Sequence, residues 1–118
     1  NELEEVSFTV DHIGRGKYMC FEVDGDSMNG GGIYDTPDGA ELLVRELGRQ
    51  HWKDGFRESK YGWVIVHKET VLFKDLKDLD FETGEITCFS RSGLPQHGSF
   101  KINLNDVNQI FKVIKRTF

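Results

Sequence analysis

Apolar residues along this chain come in short runs broken by Gly, Asp and Asn, which is the rhythm of an all-β protein. The runs predict strands over Val6–Val10, Tyr18–Val23, Glu41–Arg45, Gly62–His67, Thr70–Leu76, Glu85–Phe89, Phe100–Leu104 and Gln109–Lys115. His67-Lys68-Glu69-Thr70 reads as a hairpin connection, which makes Gly62–Leu76 two antiparallel strands. Asp80–Glu85, with Thr83-Gly84, reads as a second turn of the same kind. Leu104–Val107 is a short turn with Asn105 as its expected cap. Leu47–Tyr61 is polar and aromatic without a clear period and reads as a surface excursion holding at most one helical turn.

Length and composition sharpen this picture. At 118 residues the chain fits one domain, 1–118, and is long enough to bury a core without staples. Nine Phe, three Tyr and two Trp supply apolar area that a disordered chain lacks. The one alanine, Ala40, argues against a helical bundle. A net charge of −5 excludes an unaided DNA-coating role, which needs an excess of Lys and Arg to neutralise phosphate. Cys20 and Cys88 belong to no Cys-x-x-Cys pair, and each sits among strand residues, so buried free thiols are expected. No apolar run is long enough to span a bilayer and no charged-then-apolar leader is visible, which points to a cytoplasmic protein with no membrane contact.

Two segments carry candidate chemistry. In Phe21-Glu22-Val23-Asp24-Gly25-Asp26-Ser27-Met28-Asn29 an apolar strand ends at Val23, a tight Asp-Gly turn follows, and Ser27 stands at its exit. Such a turn exposes a side chain while aiming backbone amides at one point, the geometry of a nucleophilic serine with an oxyanion hole. Asp24 and Asp26 are also plain turn formers, and Ser27 is also a plain helix cap. In Thr70-Val71-Leu72-Phe73-Lys74-Asp75-Leu76, period two puts Leu72, Lys74 and Leu76 on one face. A lysine between two leucines is desolvated, which lowers its pKa and suits it to act as a general base; a snorkelling edge lysine is the other reading.

Taken together the two segments resemble the LexA-like peptidase family: the C-terminal domains of LexA, phage repressors and UmuD, related in fold to bacterial signal peptidases. Val23-Asp24-Gly25-Asp26-Ser27-Met28 resembles the family's Gly-Asp-Ser-Met serine motif, and Gly62–Leu76 its lysine-bearing hairpin. Ile86-Thr87-Cys88-Phe89-Ser90 is similar to the strand ending at the family's Ser-x-Asn segment, and Val107–Lys115 to the closing strand. The resemblance implies a strongly curved, mostly antiparallel β fold with little helix and a Ser27–Lys74 catalytic dyad. It places Gly25, Asp26 and Met28 in the turn that shapes the oxyanion site. It further implies a homodimerising, self-cleaving domain of a bacterial or phage repressor. In that setting DNA is bound through an N-terminal helix-turn-helix outside this chain, and an activating partner such as RecA is expected. The apolar content of Phe100–Lys115 makes that segment the expected dimer contact.

The chain departs from the family in places. Asn29-Gly30-Gly31-Gly32 follows Met28 where a proline is usual, Leu47–Tyr61 is long, and Ser92 stands where Asn is more usual. The small-residue pairs at which such proteins self-cleave, Ala-Gly or Cys-Gly, do not occur. That favours either a cleavage segment upstream of Asn1, as a trimmed C-terminal domain would have, or a non-catalytic dimerisation and sensing module with a vestigial dyad. Neither cofactor nor metal is expected. Asp24, Asp26 and Asp35 lack the ligand pattern of a calcium loop, Gly30-Gly31-Gly32 has no following Gly-Lys-Ser/Thr, and the four histidines have no ligand spacing. A triad through His67 fits the chain order less well than Lys74 does.

Overall fold

The computed structural model describes residues 17–118, so the expected strand Val6–Val10 lies outside the described residues. Seven strands follow in chain order: β1 (Tyr18–Glu22), β2 (Glu41–Leu47), β3 (Trp63–His67), β4 (Thr70–Lys77), β5 (Glu85–Phe89), β6 (Phe100–Asn103) and β7 (Val107–Thr117). Each lies within two residues of its expected bounds. They form one sheet in the order β1-β2-β7-β3-β4-β5-β6, with every neighbouring pair antiparallel. Register shifts at Leu43/Val44 and Val66/His67 mark bulges, and bulges bend a sheet.

The middle of the sheet is buried on both faces. Trp63 and Ile65 of β3, with Ile110 of β7, enter one core beside Leu76, Ile86, Cys88 and Trp52. Val64, with Phe111 and Val113, enters a second core beside Phe21, Leu42 and Val44. That is why Trp63-Val64-Ile65-Val66 and Ile110-Phe111 read as unbroken apolar runs rather than alternating ones. β4 is shared between the halves: Thr70–Lys74 pairs with β3, and Asp75–Lys77 pairs with β5. The strand changes partner between Lys74 and Asp75, and the candidate site lies at that step.

Three expectations need correction. Leu47–Tyr61 holds a 3-10 helix, Arg49–Asp54, but it is no mere surface excursion: Trp52 plugs the first core and its Nε1 donates to the Leu47 carbonyl at 3.0 Å. The short turn at Leu104–Asp106 is capped by Asn103, whose side chain accepts from the Asn105 amide, rather than by Asn105. The spare apolar surface read in Phe100–Lys115 is mostly spent within the chain. β7 is hydrogen-bonded on both sides, and Ile102, Ile110, Phe111 and Val113 are buried, which leaves Phe100 and Ile114 exposed. Cys88 is buried and Cys20 half-buried, both as free thiols. Among the described residues no helix is long and apolar enough to cross a membrane.

Candidate active site

Lys74 is the last β4 residue paired with β3, opposite Trp63. On its other side the β4–β5 register pairs Asp75 with Phe89, so continuing one step brings Lys74 opposite Ser90. Residues opposite each other share a face, and Lys74 Nζ lies 2.8 Å from Ser90 Oγ. Ser27 arrives from the turn after β1, and Lys74 Nζ lies 2.9 Å from Ser27 Oγ. Lys74 is therefore held between two hydroxyls, 47 residues from one and 16 from the other.

The serine turn is built by interlocked carboxylates. Gly25 adopts φ +97°, a conformation that suits glycine, and its amide donates to Asp38 Oδ1 at 2.7 Å. The Asp38 amide in turn donates to Asp26 Oδ1 at 2.9 Å, locking the Asp24-Gly25-Asp26 turn to the Asp38-Gly39 turn. Gly25's N–H is thereby committed and is no oxyanion donor, whereas the amides of Asp26, Ser27 and Met28 donate to no acceptor among the described residues. Met28 is the anchor. Its side chain is buried against Gly62, where an added Cβ would come within 2.8 Å of the Met28 Cε.

Arg91, which sequence reasoning passed over, ties the two halves of the site together. Its amide and that of Ser92 both donate to the Ser27 carbonyl, at 2.9 and 3.0 Å. Its guanidinium grips Asp75, the neighbour of Lys74, with two bonds of 2.8 Å, and reaches Asp35 at 3.5 Å. Further bonds run to the carbonyls of Tyr34, Ser59 and Lys60. A planar fork with five donors suits such a hub. The Asp75 pair raises the guanidinium's pKa still further, so its charge is permanent. Asp35 also accepts from the amides of Gly30 and Gly32, fastening the loop after Ser27. His97 is hydrogen-bonded through Nδ1 to Ser92 Oγ at 2.6 Å. His67 pairs with Thr70 at the far end of β3, four residues and about 13 Å along the strand from Lys74's partner Trp63, so no triad forms through it.

A signal for Ser90 did exist in the sequence. Reflecting Lys74 through the Asp80–Glu85 turn lands on Ser90, as hairpin register requires. No comparable signal exists for Arg91, whose partners come from four separate segments, at Ser27, Tyr34–Asp35, Ser59–Lys60 and Asp75.

Burial lowers the pKa of Lys74 below that of a free lysine. A thiolate at Cys88 would oppose this, but burial pushes that thiol up to about 11, so at neutral pH it is uncharged. Desolvation therefore governs Lys74. Ser27 and Lys74 open on a cavity of about 170 Å³ floored by Phe21, Leu42, Val64 and Leu72, with Asp24 also on its wall. Among the described residues no group of His, Cys, Asp and Glu could hold a metal ion. No family model, curated protein or solved structure matches the chain.

Proposed function

We propose that the chain is a serine peptidase domain working through a Ser27–Lys74 dyad, in the manner of the LexA-like family it resembles. The observation that carries the reading is the 2.9 Å contact between Lys74 Nζ and Ser27 Oγ. In its neutral form Lys74 has one lone pair and two N–H groups. The lone pair accepts the Ser27 proton while one N–H donates to Ser90 Oγ, so Ser90 fixes the direction in which the base acts. Ser27 Oγ then forms a bond to a peptide carbonyl carbon, and the uncommitted amides of Ser27 and its neighbours receive the oxyanion. The protonated Lys74 gives its proton to the leaving amine, and water hydrolyses the acyl-enzyme by the reverse sequence.

The biological setting extends the same resemblance. The domain serves a bacterial or phage transcriptional regulator in the cytoplasm, pairs with a second copy, and cleaves a segment of its own chain under an activating partner of the RecA kind. DNA contact belongs to a helix-turn-helix outside this sequence.

The test is a peptide library incubated with the chain from mildly acidic to alkaline pH, with cut sites read by mass spectrometry. Cleavage that rises with pH and vanishes in both Ser27→Ala and Lys74→Ala supports the dyad. Ser90→Ala retains partial activity with its pH profile shifted. Identical cutting by wild type and Ser27→Ala overturns the assignment. If no peptide is cut and a serine-directed acylating reagent never marks Ser27, the non-catalytic dimerisation module becomes the better reading.

A further inference from the structure

Across β2, β7 and β3 the register sets Arg45 opposite Lys112, and Lys112 opposite Trp63. Arg45 and Lys112 are exposed and directly paired, and like charges in that relation repel. Both line one concavity of about 570 Å³ with Gln50, His51 and Trp63; Lys17, just before β1, and Glu46 line it as well. The volume falls in the range that holds small molecules, roughly 300–1,000 Å³.

No carboxylate relieves this repulsion. Among the described residues neither Arg45 nor Lys112 takes part in an ion pair. Glu46 contributes to the lining, yet it follows Arg45 in β2, and because Tyr18 stands opposite Arg45 it faces Lys17; both belong to the other face of the sheet, where the Glu46 carboxylate accepts from Gln109 at 3.5 Å. A chain with 20 acidic and 15 basic residues thus sets Arg45 and Lys112 side by side at one hollow, whose one lining carboxylate, Glu46, lies on the other face with Lys17.

The geometry points to a binding site for a phosphate ester of about nucleotide size, with its phosphate bridging Arg45 and Lys112. The Arg45 fork offers two parallel donors and the Lys112 ammonium a compact charge, a combination that suits a tetrahedral oxyanion. Gln50 and His51 supply polar contacts at the rim, and Trp63 gives the floor an apolar surface for the body of the ligand. The site owes nothing to the Ser27–Lys74 dyad and stands or falls independently of it.

The test is calorimetric titration of the full chain with inorganic pyrophosphate and with adenosine monophosphate, at constant ionic strength set by chloride. Saturable binding with a Kd of about 1 mM or tighter is expected, weakened at least about tenfold by Arg45→Gln and by Lys112→Gln. Without ligand, each variant should melt no lower than wild type, because it removes a repulsion and no core contact. Absence of saturable binding at about ten times that concentration overturns the proposal, as does binding that both variants leave unchanged. A short single-stranded DNA that binds more tightly than the mononucleotide through the same residues also overturns it, since the hollow is then part of a nucleic-acid groove.

Discussion

Gly30→Ala probes how firmly the serine is held, by steric means alone. Gly30 does not adopt a left-handed conformation, so alanine costs nothing there through φ. The added methyl would instead lie 2.0 Å from the Arg91 carbonyl oxygen, with Asp35 Oδ2 at 3.0 Å. An ordinary carbon–oxygen contact needs about 3.2 Å, so the carbonyl must retreat by roughly 1 Å. That oxygen belongs to a planar peptide unit whose N–H is the Ser92 amide, and this amide donates to the Ser27 carbonyl at 3.0 Å. Pushing one end of the unit displaces the other. Overpacking costs about 1–3 kcal/mol and a weakened backbone hydrogen bond about 0.5–1.5, so the variant should lose about 2–4 kcal/mol of stability. A shift of Ser27 by even part of that 1 Å should slow its acylation by up to about 100-fold. Urea denaturation followed by tryptophan fluorescence reads the first quantity, and the rate of labelling by a serine-directed reagent reads the second. Gly98→Ala is the control, because its methyl would meet its nearest neighbour at 3.7 Å, an ordinary contact. If Gly30→Ala matches Gly98→Ala in both stability and labelling, the Arg91 segment does not hold the serine and the reasoning fails.

Two further predictions concern Lys74 and the core. The folded state binds a proton at Lys74 less readily than the unfolded chain, because burial lowers its pKa. Stability should therefore rise with pH through the window from the lowered pKa to the ordinary value of 10.5. Lys74→Met should be the more stable protein at neutral pH and lose that advantage as pH climbs through the window; a gap that stays constant with pH would show that Lys74 is not depressed. In the core, Ile110 and Phe111 are fully buried on opposite faces of β7, and Phe111 packs edge-on against Phe21 at 5.7 Å. Ile110→Val should cost about 1 kcal/mol and Phe111→Ala about 3–5 kcal/mol in denaturant melts, and equal small losses would mean that β7 is not central.

The order of stability effects depends on tertiary placement, whereas the strands themselves are local. Seven strand positions, the His67–Thr70 hairpin and the placing of Leu72, Lys74 and Leu76 on one face were all legible in the sequence, because a period of two and a tight turn are properties of a few consecutive residues. The exposed serine turn was legible for the same reason: Asp-Gly-Asp favours such a turn wherever it occurs. Which strands would become neighbours was not. β7 lies between β2 and β3, some 60 and 40 residues away in sequence, and nothing local in Val107–Thr117 names those partners. Loop closure discriminates weakly, since its cost grows only with the logarithm of length, so the choice falls to how completely both faces of the sheet can be covered at once. The same choice put Arg45 beside Lys112, drew Trp52 out of an apparently polar loop into the core, and brought Arg91 behind Ser27. The 2.9 Å contact between Ser27 and Lys74 is thus local at each end, a turn and a strand face, and tertiary only in the joining.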